Sequence, residues 1–250
     1  MIHLGPLPGS PGFGGDLERV VDRAVTDGRT LVAAGFDGLM VENFGDAPFF
    51  AEDVPVETVA AMTRAVGAVV EQCGLQTGVN VLRNDAQAAL AVAAATGSSF
   101  IRVNVLSGTM FTDQGPIVGR AAEVSRMRNR LCPEVAVLAG VMVKHAVAPA
   151  GLTLEDAARD LAERGGADAV VVSGSGTGTA TSGGDLETVA AGIDLPVYVG
   201  SGATAESARR LLQVAQGVIV GSSLKAGGDP SQPIDPGRAA AFVAAATSRG

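Results

Sequence analysis

Acid–base chemistry in this sequence would depend on a small set of ionisable side chains. Lysine and histidine are scarce in the 250 residues, since only His3, His145, Lys144 and Lys225 occur. A carboxylate can move a proton, and an ammonium group can stabilise negative charge that develops during a reaction. The candidate catalytic residues are therefore Glu42, Asp113 and Lys144.

Lys144 and His3 each have more than one interpretation. Lys144 could form an ion pair with Glu42 or Asp113 that only holds the site together, or it could act as a base or an electrophile. A Schiff base on Lys144 is a further option, which no other residue supports. His3 could contact substrate, or it could be a histidine that is buried in the core.

Two glycine-rich turns indicate an anion site. Gly200-Ser201-Gly202 and Gly221-Ser222-Ser223 each follow a short apolar stretch. Glycine lets backbone N–H groups approach an anion without interference from a Cβ atom, and a helix that begins after the turn adds its dipole. We predict a phosphate site formed by both segments, which we call the glycine turns. The alternative is that the glycines serve only the geometry of two tight turns.

Other polar residues would bind the rest of a ligand. Residues 173–184 are a run of Ser, Gly and Thr with almost no bulky side chain, which is typical of a mobile flap or of a disordered connector. Polar residues also gather wherever strands end, so their position alone does not prove a site. The predicted substrate-binding residues are His3, Asn43, Asn80, Arg102, Asn104, His145, Ser173 and Thr177.

No metal ion or cofactor is predicted. Glu42, Asp113 and His145 could meet in space, but the sequence has no HxH or HExxH spacing. Cys73 and Cys132 also lack the spacing of metal ligands, and two reduced thiols in a cytoplasmic chain are the simplest interpretation.

The hydrophobic pattern predicts the elements that position these residues. Short apolar runs rich in Val and Ile predict buried strands, and apolar residues at i, i+3 and i+4 predict helices between them. The predicted strands are residues 1–4, 37–41, 76–81, 100–105, 135–143, 169–172, 196–199 and 217–220. The predicted helices are an opening helix from Leu17 and residues 55–73, 85–96, 119–131, 153–164, 184–191, 204–215 and 236–247. A long loop that contains Asp113 is predicted after the strand at residues 100–105.

Eight strand–helix units in 250 residues predict an α/β fold, a single (β/α)₈ TIM barrel that occupies residues 1–250 as one domain. A doubly wound open sheet is the alternative, but residues 5–12 are Pro-rich and lack the GxGxxG fingerprint. Barrel active sites lie at the C-terminal ends of the strands, where we expect both lysines and both histidines. Lys144 and His145 are adjacent on a predicted strand, so only one of them could face the site.

Composition excludes several classes of protein. Eighteen Lys and Arg against 26 Asp and Glu give a net charge of −8, which argues against non-specific nucleic-acid binding. With 47% hydrophobic and 18% charged residues, the chain is too apolar to be disordered. No signal peptide or membrane span is predicted. We expect a cytoplasmic protein whose partner is a small phosphorylated metabolite, with a homo-oligomer as an option.

Motifs along the whole chain resemble the BtpA family (BtpA/SgcQ). The most specific is Glu42-Asn43-Phe44-Gly45-Asp46-Ala47-Pro48-Phe49. The others are His3-Leu4-Gly5-Pro6-Leu7-Pro8-Gly9-Ser10-Pro11, Arg102-Val103-Asn104, Val143-Lys144-His145-Ala146, Gly166-Ala167-Asp168-Ala169, Val199-Gly200-Ser201-Gly202 and Val220-Gly221-Ser222-Ser223-Leu224-Lys225. The resemblance implies a barrel of the ribulose-phosphate-binding kind. It also implies a link, for some members, to photosystem I biogenesis in cyanobacteria.

Two features depart from the family's pattern. Members usually begin several residues before the His-Leu pair, so we expect the first strand to be truncated. Many carry an acidic residue on the fifth predicted strand, where this chain has Ala139-Gly140-Val141. The missing carboxylate shifts the expected acid–base role to Glu42, Asp113 and Lys144.

The sequence favours an enzyme that acts on a ribose-phosphate or nucleotide-like compound. Isomerase, lyase and base–sugar cleavage chemistry all stay open, because fold alone does not choose among them. The alternative is a non-catalytic biogenesis or assembly factor of the photosystem I type, although the aromatic residues that mark partner surfaces make up only 4% of the chain. A prenyl or glycerol-phosphate transferase would need an acidic cluster for Mg²⁺, which the sequence lacks.

Overall fold

Parallel strands form the centre of the computed structural model, which describes residues 1–143, 145–174 and 183–248. The strands are β1 (Ile2–His3), β2 (Gly38–Glu42), β3 (Gln76–Asn80), β4 (Phe100–Val103), β5 (Thr109–Thr112), β6 (Gly115–Val118), β7 (Ala136–Val141), β8 (Ala146–Val147), β9 (Ala169–Val172), β10 (Val197–Val199) and β11 (Gly217–Val218). Eight of them form a parallel sheet in the order β1-β2-β3-β4-β7-β9-β10-β11. The nitrogen of Met1 donates to the carbonyl of Val220 at 2.8 Å, so the two edges meet in a (β/α)₈ barrel.

Helices follow the barrel strands and cover them. They are α1 (Leu17–Ala34), α2 (Val56–Cys73), α3 (Ala86–Thr96), α4 (Ala121–Leu131), α5 (Leu154–Glu163), α6 (Gly183–Gly192), α7 (Ala205–Leu211) and α8 (Pro236–Thr247). Local chemistry explains several starts, because the side chains of Asp16, Asp85, Thr153 and Asp235 each accept from a backbone N–H of the first turn. In the described part of the chain, no helix is long and apolar enough to cross a membrane.

The predicted barrel is confirmed, and its core explains why. Nearly every strand residue in β9 and β7 is buried, and branched aliphatic side chains from the strands pack against the inner faces of the helices. This is the continuous hydrophobicity that a parallel sheet covered by helices requires. The predicted strand positions agree with the observed ones to within a few residues at each end.

A second, antiparallel sheet replaces part of a predicted loop. Strands β5 and β6 form a hairpin after β4, and β8 pairs with the other side of β5. Met110 and Ile117 on this sheet pack with Val105 and Val143 in a small core of their own. The prediction of a loop here was wrong because strands of two to four residues are too short for alternation to be recognised.

Two expectations about basic residues are also wrong. Strand β7 ends at Val141, so His145 lies in the turn before β8, and the argument from alternating strand faces does not apply to it. Lys225 does not join a polar site, because its ammonium group is fully buried and lies 3.0 Å from a carboxylate oxygen of Asp27 on α1. The segment after β11 folds back onto α1, and Asp27 provides the opposite charge there.

Candidate functional site

The ends of four neighbouring strands bring together acidic, basic and neutral polar groups. His3 is paired in register with Glu42, Glu42 with Asn80, and Asn80 with Arg102. Residues that are opposite one another in a sheet point to the same face. The register of β1 to β4 therefore places these four side chains in one row at the C-terminal end of the barrel, as the fold predicts for an active site.

Glu42 occupies the centre of this row. Its Oε2 accepts a hydrogen bond from Nδ2 of Asn80 at 2.5 Å, and its Oε1 lies 3.8 Å from Nε2 of His3. Glu42 is only 6% exposed, yet it lines both cavities of the site. A buried carboxylate that an amide orients at the wall of a cavity is suited to proton transfer.

His3 is held as a neutral ring beside Glu42. Its Nδ1 lies 2.9 Å from the carbonyl oxygen of Pro230, which can only accept, so Nδ1 carries the proton and Nε2 is an acceptor. The ring stacks on Phe44 with centroids 4.4 Å apart. Burial lowers the pKa of His3 to about 4, although the charge of Glu42 opposes this shift. At neutral pH, Nε2 can therefore accept a hydrogen bond from a ligand.

Arg102 is a buried cation that forms no ion pair with any described carboxylate. Its Nη2 is 3.4 Å from Oγ of Ser173, and its buried Nε has no hydrogen-bond partner among the described residues. Burial lowers the pKa of Arg102; the charge of Glu42 opposes this effect and the charge of Arg83 adds to it. A buried guanidinium in this state is costly unless an anion binds to it.

The glycine turns line a cavity of about 220 Å³ together with His3, Glu42 and Arg102. Gly202 has a φ of 73°, which residues with a Cβ atom rarely adopt. A Cβ atom on Gly200 would lie 2.5 Å from Oγ of Ser173 and 3.1 Å from Nη2 of Arg102. Only glycine at this position lets the guanidinium approach the turn so closely.

Several backbone donors of the glycine turns are available to a ligand. The amides that donate no hydrogen bond to a described residue are those of Gly202, Ala203, Gly221, Ser222 and Ser223. Ser223 Oγ donates to the carbonyl of Ala203 at 2.7 Å, so the two turns are tied to each other. Convergent N–H groups on neighbouring strands form the kind of concave site that binds a phosphate.

A second cavity, of about 440 Å³, adjoins the antiparallel sheet and shares Glu42 and Arg102 with the first. Its further polar lining residues are Arg83, Asn104, Asp113, Gln114 and His145. Asp113 is exposed at the tip of the β5–β6 hairpin, where its carboxylate accepts from Gln114 at 2.5 Å. Glu42 therefore lies deep between the cavities, and Asp113 lies at the rim of one of them.

Comparison with known proteins assigns the family. The sequence profile of the BtpA family matches residues 1–248. The chain belongs to the BtpA family. A relative from Synechocystis sp., named photosystem I biogenesis protein BtpA, is 46% identical over 246 residues, which are 98% of this chain and 86% of the relative. The resemblance inferred from the motifs is confirmed.

Solved structures with the same fold are distant in sequence from this BtpA-family chain. Thiamine phosphate pyrophosphorylase from Pyrococcus furiosus has a TM-score of 0.59 at 12% identity, covering 89% of this chain and 88% of that one. (S)-3-O-geranylgeranylglyceryl phosphate synthase from Thermoplasma acidophilum, in complex with its substrate sn-glycerol-1-phosphate, has a TM-score of 0.58 at 18% identity, covering 89% and 86%. At this identity the likeness establishes the barrel fold alone.

The motif most specific to the BtpA family has a separate contact for each of several residues. Phe44 stacks on the His3 ring, and Asp46 accepts from the backbone N–H of Leu7 at 2.8 Å. The Asn43 carboxamide donates to Asp46 and pairs with the backbone of Leu82. These contacts fix the loop after β2 to the loops after β1 and β3, and so hold Glu42 in place.

Other strand-end asparagines of this BtpA-family chain also bind backbone. Asn84 pairs with both the N–H and the carbonyl of Val105, at 2.8 and 3.0 Å. Asn104 donates to the carbonyl of Arg83 at 2.7 Å and lines the second cavity as well. Asn43 is 1% exposed and lines neither of the two cavities that share Glu42. A role of Asn43 and Asn104 in substrate binding stays a prediction.

Backbone geometry constrains the end of β7 and the segment that follows it. A Cβ atom on Gly140 would lie 2.5 Å from the carbonyl oxygen of Asn104, so the backbone leaves no room for an acidic side chain there. Met142 and His145 both have positive φ, at 47° and 54°, and such strain is concentrated at functional sites. Lys144, Thr177 and the remainder of residues 175–182 lie outside the described residues, so the predictions for them and for a flap stay predictions.

Arg83 and Phe44 line the site although neither was among the predicted site residues. Arg83 follows β3 and lines the second cavity, and its position at a strand end was the available signal. Phe44 lines both cavities, but its stacking on His3 depends on the register of β1 and β2, which no local pattern specifies. Within the described residues, no three His, Cys, Asp or Glu side chains could hold a metal ion together.

Proposed function

We propose that this BtpA-family barrel is an enzyme that binds a small phosphorylated metabolite, such as a ribose phosphate or a nucleotide-like compound. The observation that carries the proposal is the cavity that the glycine turns share with Glu42 and Arg102. It combines free backbone donors, a buried cation and a buried carboxylate at the end of the barrel where enzymes of this fold have their active sites. Two proteins of the same fold are named for phosphorylated compounds, which supports the same ligand class.

In this proposal the phosphate binds the glycine turns, through Gly200, Ser201, Gly202, Gly221, Ser222 and Ser223. Glu42 moves the proton, because it is buried, oriented by Asn80 and open to both cavities. Neutral His3 accepts a hydrogen bond from a substrate hydroxyl. Asp113 at the rim and Lys144 are assigned to proton transfer and to the stabilisation of negative charge, respectively.

The remaining part of the ligand would contact polar groups around the two cavities. The proposed contacts are Asn43, Asn80, Arg102, Asn104, His145, Ser173 and Thr177. Isomerase, lyase and base–sugar cleavage chemistry each need one proton to move close to a phosphate-anchored carbon framework, so one Glu42-centred site suits all three. A cytoplasmic location, a single domain over residues 1–250 and a homo-oligomer belong to the same proposal.

Thermal shift and calorimetry test the phosphate site. Inorganic phosphate and ribose 5-phosphate should raise the melting temperature of the wild-type chain. Ser222→Asp should abolish the shift, because it places a carboxylate beside the free amides of one turn. Gln72→Glu adds the same charge at an exposed position of α2 and should keep the shift. An equal shift in Ser222→Asp and in the wild type would locate the ligand elsewhere.

A non-catalytic assembly factor is the second candidate, and two observations favour it. The Synechocystis relative is named for photosystem I biogenesis. Phe111 and Val147, paired on adjacent strands of the antiparallel sheet, are 52% and 69% exposed, which is typical of a partner surface. Recovery from cells of a stable complex that Phe111→Glu disrupts, with no turnover on any phosphorylated compound, would favour this function over the enzyme.

A further inference from the structure

Arg102 connects the two cavities, and no described carboxylate lies within ion-pair distance of it. It is 5% exposed, lines both cavities and forms no ion pair with a described carboxylate. We propose that the substrate carries a carboxylate in addition to its phosphate, and that Arg102 binds this carboxylate. The inference rests on the proposed phosphate site, because it assigns the second end of the same ligand.

The charges around the second cavity favour a monoanion. Arg83 and Arg102 are both buried, and Glu42 is the buried carboxylate that faces them. Burial lowers the pKa of both arginines; Asp113 and Glu42 oppose this shift at Arg83, whereas Glu42 is the described carboxylate that opposes it at Arg102. Arg102 is therefore the less compensated of the two. A ligand carboxylate would bring one negative charge to Arg102, whereas a second phosphate dianion would bring about two beside the buried Glu42.

The repulsion between Arg83 and Arg102 also favours an anion that binds beside them. The charge of Arg83 disfavours the charged form of Arg102, so the two guanidinium groups lie close enough to interact. An anion bound beside them removes this cost, and a neutral sugar end would leave it. A guanidinium group also presents a planar pair of donors that matches the two oxygens of a carboxylate.

The position of Glu42 places the group proposed to move a proton beside the middle of such a ligand. Glu42 lines both cavities, so a ligand that reaches from the glycine turns to Arg102 must pass over its carboxylate. The carbon atoms between the phosphate and the carboxylate then lie beside the group proposed to move a proton. Negative charge that develops next to the ligand carboxylate would be stabilised by Arg102.

Matched pairs of phosphorylated compounds test the inference by calorimetry. Each pair differs only in a carboxylate against a hydroxymethyl group: 2-phosphoglycolate and 2-hydroxyethyl phosphate, 3-phosphoglycerate and glycerol 3-phosphate, 4-phosphoerythronate and erythritol 4-phosphate. The three lengths sample the span between the cavities. In the wild type, the carboxylate compound of at least one pair should bind tenfold or more tightly than its partner.

Variants of Arg102 locate the effect. Arg102→Met should bring the two members of that pair to within about twofold of each other, while the Kd of inorganic phosphate changes by no more than about threefold. Arg130→Met removes the same charge from the exposed end of α4 and should keep the tenfold preference. If Arg102→Met does not fold, Arg102→Lys takes its place, and the loss of the planar fork should reduce the preference several-fold.

The outcomes separate this inference from the proposed function. Binding of inorganic phosphate without a preference for any carboxylate compound would overturn the inference and leave the phosphate site intact. Equal losses of phosphate and carboxylate binding in Arg102→Met would also overturn it, because Arg102 would then belong to the phosphate site. Absence of phosphate binding in the wild type, or phosphate binding that Ser222→Asp does not weaken, would instead refute the proposed function.

Discussion

Two buried cations in this molecule have opposite surroundings. Lys225 is fully buried and forms an ion pair with Asp27 of α1, and the same carboxylate accepts from the backbone N–H of Ile234 at 2.8 Å. Arg102 is almost as deeply buried, but its Nε has no partner among the described residues and its Nη2 lies as far as 3.4 Å from Oγ of Ser173. Both are costly to bury, and among the described residues only Lys225 has a carboxylate at ion-pair distance.

The difference separates a charge that holds two parts of the fold together from one that is open to a ligand. Lys225 joins the segment after β11 to α1. Its partner Asp27 lies 198 residues earlier in the sequence and also accepts from the backbone N–H of Ile234. Arg102 faces two cavities and the glycine turns. Residue type and position at a strand end would have placed both in the site, whereas the distribution of partners separates them.

Breaking the Lys225–Asp27 pair should have the largest effect on stability. Lys225→Met leaves Asp27 as a buried carboxylate without its cation, which typically costs about 3–5 kcal/mol of the free energy of unfolding. Urea denaturation measures this loss. The double variant Asp27→Leu with Lys225→Met should recover most of it, since both charges are then removed. A loss below about 1 kcal/mol in the single variant would show that the pair is not structural.

The pH dependence of stability should report on His3. Its pKa is lowered from 6.5 to about 4 by burial, so between these values the unfolded chain binds more protons than the folded one. The contribution of His3 to stability should therefore be complete above pH 6.5 and fall as pH decreases toward 4, by up to about 3 kcal/mol. His3→Gln should flatten this part of the urea-denaturation profile. A profile with the same slope in the variant would mean that His3 is protonated in the folded protein.

Removal of the charge of Glu42 should destabilise the fold less than the loss of Lys225 does. It should also strengthen the binding of anions. Glu42→Gln leaves both Arg83 and Arg102 without their buried counter-charge, at a cost of about 1–3 kcal/mol. Inorganic anions should then bind more tightly, because a competing carboxylate is gone. Proton transfer should be lost. Calorimetry with phosphate measures the change in anion affinity. Weaker anion binding in Glu42→Gln would contradict the described electrostatics.

Arg102→Met should change stability least. The variant removes a buried charge that no described carboxylate pairs with at ion-pair distance, so its free energy of unfolding should differ from that of the wild type by less than about 1 kcal/mol. Its ligand affinity, by contrast, should fall. Parallel urea titrations of Arg102→Met and Lys225→Met provide the direct comparison. Equal destabilisation in both would remove the distinction between the two cations.

The sequence predicted the barrel because each strand and helix carries its own local pattern. The Val-rich run that becomes β9 and the amphipathic stretch that becomes α1 could be recognised one element at a time. The antiparallel sheet could not, because its strands are short and depend on pairing between residues 111 and 147. Local pattern was also silent on the partner of Lys225, since Asp27 lies 198 residues away in the sequence.

The sequence predicts where in the barrel the candidate site lies, but not the contacts of its individual polar residues. Position at strand ends was the reason to predict Glu42, Arg102 and the glycine turns, and barrel geometry brings them to one cavity. Which polar residues face a cavity and which bind backbone depended on contacts between loops. Asn43 and Asn80 illustrate this, because both follow or end a strand, yet Asn43 binds the backbone of Leu82 and Asn80 orients Glu42.

A crystal structure of the wild-type protein grown or soaked with inorganic phosphate tests the central claim most directly. We predict one well-ordered phosphate between the glycine turns, with its oxygens within hydrogen-bonding distance of the backbone N–H groups of Gly202 and Ser222. The same experiment on Ser222→Asp should show no anion there. A phosphate bound only elsewhere, or glycine turns that stay empty at saturating phosphate, would contradict the account.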